Sequence, residues 1–282
     1  MKNSRAHSVN EVMKAVESLP SIPQAIAEIM RTIDDDSATA KMLADKIEGD
    51  VGLLVSVLKL VNSPRYSMHG GISSSQQAVQ VLGFNVIRSF ACMEGISAYF
   101  RKNSNNEFNF EKFMRHGVGV ACCAKYIARR AKLNPEVAFV AGLLHDMGQL
   151  ALAVTMPNAY RLVEEYQRTH DCHLSVAERA IMGTDHAQVG AHLANRWNFP
   201  TEIVMSIKCH HKMLDAEAGS HLADLIHVSE VLSHGLDLGM TSQVPPLSDE
   251  ALLRLGITLP QMAPFFEGIE EEYNDLAQLL GV

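Results

Sequence analysis

The chain has 282 residues, 47% of them apolar and 20% charged, with 24 basic against 32 acidic side chains for a formal charge of −8. That length permits one large domain or two small ones around a substantial core, and the composition excludes a disordered, collagen-like or disulfide-rich chain. The acidic balance argues against non-specific nucleic-acid binding, so no nucleic acid is expected as a partner.

Cys92, Cys122, Cys123, Cys172 and Cys209 are odd in number and contain no CxxC, which reads as reduced core thiols of a reducing compartment. The first twenty residues carry no apolar run suited to a signal peptide. No stretch reaches about 18 uncharged apolar residues, so no membrane span is expected and the location is expected to be cytoplasmic. Of the 13 histidines, 11 lie between His116 and His234. That asymmetry is the first functional clue.

The periodicity predicts helices almost throughout. Ile22, Ala25, Ile26, Ile29, Met30 and Ile33 form one apolar helix face. Ser37 is a plausible N-cap for a helix carrying Met42, Leu43 and Ile47, and Asp50 can cap Val51 to Val61. Ser74 or Ser75 can open a helix that Gly83 breaks, and another pattern runs from Asn85 to Phe100. Residues 102–107 are polar and Asn-rich, and mark the boundary between a histidine-poor and a histidine-rich part. Beyond it, helices are predicted near 108–131, 135–152 and 159–169, with Asn134-Pro135 as cap and first-turn proline and Ser175 to Glu178 as a capping box. Further helices are expected at 186–197, 201–211 and 220–236. A Pro245-Pro246 loop, a short helix after Ser248 and a final helix near 261–280 complete an all-α chain of about 13 helices. The organisation reads as a flexible tail (1–10), an N-terminal helical subdomain (11–102), a histidine-rich subdomain (108–240) and a C-terminal extension (241–282).

An adjacent His145-Asp146 pair ends the apolar run Val140 to Leu144, and burying both groups is costly unless each finds a partner. A divalent metal satisfies both, and imidazole with carboxylate suits Fe, Mn or Zn, and Mg less well. His116, His186 and His210-His211 lie on separate predicted helices, and Glu230 or Asp224 can add a late carboxylate. Inward side chains on facing helices commonly assemble such sites. Each histidine taken alone is ordinary; the ordered set points to metal. His170, His173, His192, His221, His227 and His234 fall outside that set and read as surface or core residues.

The segments Leu19 to Pro23, Ile47 to Leu53, Leu58 to Pro64, Ala78 to Gly83, Ala141 to Gly148, His186 to Gly190 and Trp197 to Pro200 together resemble the HDOD family, a branch of the HD/phosphodiesterase-like superfamily. The resemblance implies a multi-helical HD-like bundle with an N-terminal helical subdomain, 11–240 forming one unit, in a bacterial signalling context. It also implies that His116, His145, Asp146, His186, His210 and His211 stand at the metal-ligand positions of related hydrolases, with Glu230 or, alternatively, Asp224 as the late carboxylate and one or two ions bound. Gln149 replaces a phosphate-binding lysine of active relatives, and Lys212 to Asp215 stand where HD-GYP enzymes have Gly-Tyr-Pro.

Two functions follow. One is a signalling module that contacts a protein partner or senses a nucleotide-like ligand, with Asn62, Arg65 and Gln149 as candidate contacts. The other is a metal-dependent phosphohydrolase in which Asp146 and His145 are catalytic and Lys112, Arg115 and Lys208 are candidate cations for substrate charge.

Overall fold

Side-chain caps, prolines and glycines set the helix ends. In the computed structural model, which describes residues 7–32, 35, 37–62, 71–103, 108–211, 221–239 and 244–280, the elements are helical and no strand occurs among the described residues.

The N-terminal helices are α1 (Val9–Glu17), α2 (Gln24–Arg31), α3 (Ala40–Glu48), α4 (Val51–Val61), α5 (Ser75–Leu82) and α6 (Phe84–Asn103). Asp50 and Ser74 accept the capping bonds of α4 and α5. For α3 the cap is Thr39 rather than Ser37; the Ser37 hydroxyl is held by Asp35 instead. Gly83, at φ 88°, supplies the conformation that separates α5 from α6. Residues 7–10, expected in the tail, are built into the fold. The His7 amide donates to Ile181 O at 2.9 Å, and Ser8 and Glu11 form a capping box that starts α1.

The bundle comprises α7 (Phe110–Ala131), α8 (Pro135–Leu144), α9 (Met147–Thr155), α10 (Pro157–His170), α11 (Leu174–Met182), α12 (His186–Arg196), α13 (Thr201–Cys209) and α14 (His221–Gly235). The single helix expected over 135–152 is broken at His145-Asp146, which form a turn between α8 and α9. By length and composition Pro135–Thr155 passes for a membrane span, contrary to expectation, yet 83% of its most apolar 18-residue window is buried inside the fold.

Helix α7 packs on α8 and α14, and α12 packs on α9 and α13. The α9–α12 crossing depends on glycine: a Cβ on Gly148 would stand 1.9 Å from His186 O. That approach brings the first residue of α12 against the turn carrying Asp146.

Although α1 is first in the chain, it packs on α9 and α12 of the bundle. Tyr99 and Phe100 of α6 meet Trp197 at ring distances of 5.5 and 6.0 Å, joining the N-terminal helices to the bundle. Of the C-terminal helices α15 (Asp249–Leu255), α16 (Leu259–Met262) and α17 (Phe266–Leu280), α15 docks on α14 and α17 on α7 of the same bundle. Lys125 pairs with Glu272 at 2.6 Å, and Arg254 grips Asp224 through two bonds of 2.6 and 2.7 Å.

Candidate metal centre

Asp146 sits at the centre of four imidazoles. Its Oδ2 is 3.5 Å from His116 Nε2 and 3.4 Å from His145 Nε2; its Oδ1 is 3.2 Å from His186 Nε2 and 3.5 Å from His210 Nε2. Three helices and one turn deliver these groups: His116 from mid-α7, His145 and Asp146 from the α8–α9 turn, His186 from the start of α12 and His210 from the C-cap of α13. His211 follows, its Nε2 2.7 Å from His186 Nε2 and its Nδ1 3.6 Å from Glu230 Oε2 on α14. All but His211, which is half-buried, are buried.

Hydrogen bonding fixes which nitrogen each ring presents. His145 Nδ1 lies 2.6 Å from Gly142 O and His210 Nδ1 lies 2.7 Å from Ile207 O. A carbonyl oxygen only accepts, so both Nδ1 atoms carry the proton and donate. In the neutral ring, Nε2 is then a bare lone pair. Both of these Nε2 atoms are buried without a hydrogen-bond partner, and so is Asp146 Oδ1. Burial pushes the pKa of His145 down to about 3 and that of His116 down to about 4, which keeps both rings neutral at neutral pH. Lone pairs therefore face a carboxylate, an arrangement that repels unless a cation stands among them.

His186 differs from its neighbours. The Glu178 carboxylate, fully buried, accepts from the His186 backbone amide at 2.8 Å and from Nδ1 at 2.6 Å. Burial opposes protonation, but Glu178 and Asp146 together raise the His186 pKa well above its ordinary value. Burial likewise opposes ionisation of Asp146, yet His145 and His186 hold its carboxyl well below the usual range. Burial, and then the charge of Asp146, push the Glu230 carboxyl well up.

The donors fall into two main groups: Asp146 with His186, His210 and His211, and His116 with His145 and Glu230, each with ligand atoms within 4.8 Å of one another. Imidazole and carboxylate in this proportion suit Fe, Mn or Zn better than Mg, which prefers all-oxygen shells. A cavity of about 480 Å³ opens onto Asp146, His116, His186, His211 and Glu230, with Lys112 and Arg168 on its walls.

The family model for the HDOD domain matches residues 19–213. The chain belongs to the HDOD family. An HDOD domain protein of unknown function from Geobacter sulfurreducens is 28% identical, with 96% of each chain covered and a TM-score of 0.78. A candidate phosphohydrolase from Shewanella amazonensis SB2B, 23% identical over 95% of this chain and 97% of that one, shares the fold at a TM-score of 0.75. An uncharacterized protein of Treponema pallidum (strain Nichols) is 25% identical over 199 residues. The match takes in 70% of the HDOD chain but 38% of that curated relative's length.

The remaining candidate residues of this HDOD protein are placed as follows. Asp224 is held by Arg254, away from the cluster, so the carboxylate beside the histidines is Glu230. Gln149 donates from Nε2 to Asp146 Oδ2 at 2.5 Å and lines the cavity. Asn62 is a clamp rather than an open contact: its amide bonds Leu58 O, Ile72 O and the Ile72 amide at 2.7–2.8 Å. Arg65 lies outside the described residues, as do 104–107 of the expected boundary. Of the proposed cations, Lys112 lines the cavity, Arg115 pairs with Glu111 at 3.3 Å, and Lys208 does not line it.

Sequence reasoning missed Glu178, His173, His234 and Arg168. Glu178 is no capping-box residue, because α11 starts one residue before Ser175 and His173 is its N-cap. His173 forms a third donor group with His211 and Glu230, and burial followed by His186 pushes its pKa down to about 4. His234 stands against the His116 ring at 5.1 Å.

Proposed function

We propose that this HDOD protein is a cytoplasmic bacterial signalling module whose bundle holds one or two divalent ions and uses that centre to bind a phosphate-bearing, nucleotide-like small molecule. The observation that carries the reading is the orientation of His145 and His210, whose Nδ1–H groups are spent on backbone carbonyls so that bare Nε2 atoms face Asp146. A purely structural buried pair would place a proton between nitrogen and oxygen.

His116, His145 and Glu230 would hold one ion; His186, His210 and His211 would hold the other, with Asp146 offering one oxygen to each group. A bound divalent ion supplies polarisation of a phosphoryl oxygen and acidifies a water molecule. Glu178 keeps the His186 ring in register through two bonds. Gln149 fixes the Asp146 rotamer but brings no charge, so ligand phosphate is met by Lys112 and Arg168.

A second reading, hydrolysis of a nucleotide or cyclic-dinucleotide phosphoester, is favoured by the cavity, which leaves Asp146 reachable by a ligand. The test is metal analysis of the purified protein, followed by a panel of phosphodiesters with added Mn²⁺ or Fe²⁺. Metal uptake that Asp146→Ala abolishes supports the binding reading; turnover lost in the same variant supports hydrolysis. A wild-type protein that takes up no metal overturns both.

A further inference from the structure

The histidines around the cavity divide by which ring nitrogen is occupied. His145 and His210 spend Nδ1–H on carbonyl oxygens and present a bare Nε2. His173 is wired the other way. As N-cap of α11, its Nδ1 accepts from the Ser175 backbone N–H at 3.3 Å, with the Ser175 hydroxyl 3.0 Å away. A backbone amide only donates, so this Nδ1 carries no proton, and the proton of the ring sits on Nε2. Histidine is an unusual cap; Ser, Thr, Asn or Asp serve the helix better. Here the capping residue is also a wall of the cavity, half-buried, its ring 4.6 Å from that of His211.

We infer that His173 is a hydrogen-bond donor to an oxyanion of the bound ligand and not a further metal-binding side chain. The inference deepens the proposed function and rests on it for the ligand's class. Although His173 groups with His211 and Glu230 by distance, a protonated Nε2 has no lone pair for a metal. Ligation would need the proton moved to Nδ1, which breaks the bond that starts α11. Among the described residues Nε2 has no hydrogen-bond partner, and it is not sealed from the cavity. The same cavity carries the side chains of Lys112 and Arg168, neither in an ion pair among the described residues, whereas Glu164 and Asp171 on its walls are already engaged. A fixed N–H donor together with two cations that have no ion pair among the described residues suits a phosphate group.

The experiment uses the full chain labelled with ¹⁵N-histidine. Long-range ¹H–¹⁵N correlation spectra of the metal-free protein report which nitrogen of each ring is protonated, and His173→Asn assigns the His173 signals. Asn can cap α11 with its side-chain oxygen, so the variant keeps the helix while the donor is lost; His173→Ser is the second capping variant. Zn²⁺ stoichiometry and affinity are then measured by titration, and inorganic phosphate is the ligand probe.

The expected result is a protonated Nε2 on His173, a phosphate-dependent shift of that nitrogen, unchanged Zn²⁺ stoichiometry in both variants, and phosphate binding weakened about tenfold or more. A protonated Nδ1, loss of Zn²⁺ in the capping variants, or undiminished phosphate binding overturns the inference. If the wild-type chain takes up no Zn²⁺, the metal-centre reading fails. His173 is then judged on the metal-free spectra alone, where an Nδ1 proton or an absent phosphate shift overturns its role and an Nε2 proton with that shift upholds it.

Discussion

The helices before residue 104 and those after residue 108 bury different kinds of polar group. In α1–α6 the buried polar residues are Thr32, Ser75, Arg88, Ser89 and Ser97. Several of these are answered locally: Thr32 Oγ1 donates to Ile29 O, Ser75 to Glu48, and Arg88 to Thr32 O. In α7–α14 the buried polar set is dominated by ionisable side chains, His116, His145, Asp146, Glu178, His186, His210 and Glu230 among them. Around Asp146 the bare Nε2 atoms of His145 and His210 face carboxylate oxygens, and each unpaired buried group there costs about 1–3 kcal/mol. The first region uses polarity to finish a fold. The second gathers imidazoles and carboxylates whose donor atoms lie close enough to hold a metal ion.

The comparison breaks most sharply at Asp146. Asp146→Ala is expected to abolish metal uptake, measured as bound metal after reconstitution, while the fold persists by circular dichroism. Near-normal uptake in that variant would place the metal elsewhere. Glu178→Ala comes next. It leaves the ligands in place but frees the His186 ring, and metal affinity should fall about 10–100-fold. Glu178→Gln, which keeps an acceptor oxygen, should fall less.

On the other side of the comparison, Leu43→Ala empties a fully buried site in α3. It should cost about 2–5 kcal/mol in denaturant unfolding and leave metal affinity unchanged. A variant that lost metal as well would show that the two regions are one functional unit.

The smallest effect is a proton count. In the metal-free protein His186 is held protonated by Glu178 and Asp146, because its pKa is raised. Metal binding must displace that proton, whereas His116 and His145, with pKa values near 4 and 3, are already neutral. Calorimetry at pH 7 in buffers of different ionisation enthalpy should therefore report at least about one proton released on binding. Falling pH should weaken affinity through His186 well before His116 and His145 begin to compete. Zero proton release would contradict the charge assigned to His186.

Much of this was legible in the sequence. The His145-Asp146 pair after an apolar run, with His116, His186 and His210-His211 on separate helices, announced the cluster because imidazoles are rarely gathered in cores without a task. The choice between Glu230 and Asp224 was not legible, since both lie on α14. It is decided by Arg254, which is 30 residues from Asp224 and reaches it only once α15 has docked. Glu178 was hidden by a Ser-x-x-Glu pattern that mimics a capping box. His173 was hidden because histidine at an N-cap carries no familiar signal. The break at His145-Asp146 was hidden too, since the apolar period runs on through it from α8 into α9.

The most direct test of the central claim is anomalous scattering from crystals of the Mn²⁺-reconstituted protein, collected at the manganese edge. The account expects peaks beside the Asp146 carboxylate, within coordination distance of His186 and His210 on one side and of His116 and His145 on the other. Saturating Mn²⁺ with no peak at Asp146 would contradict it.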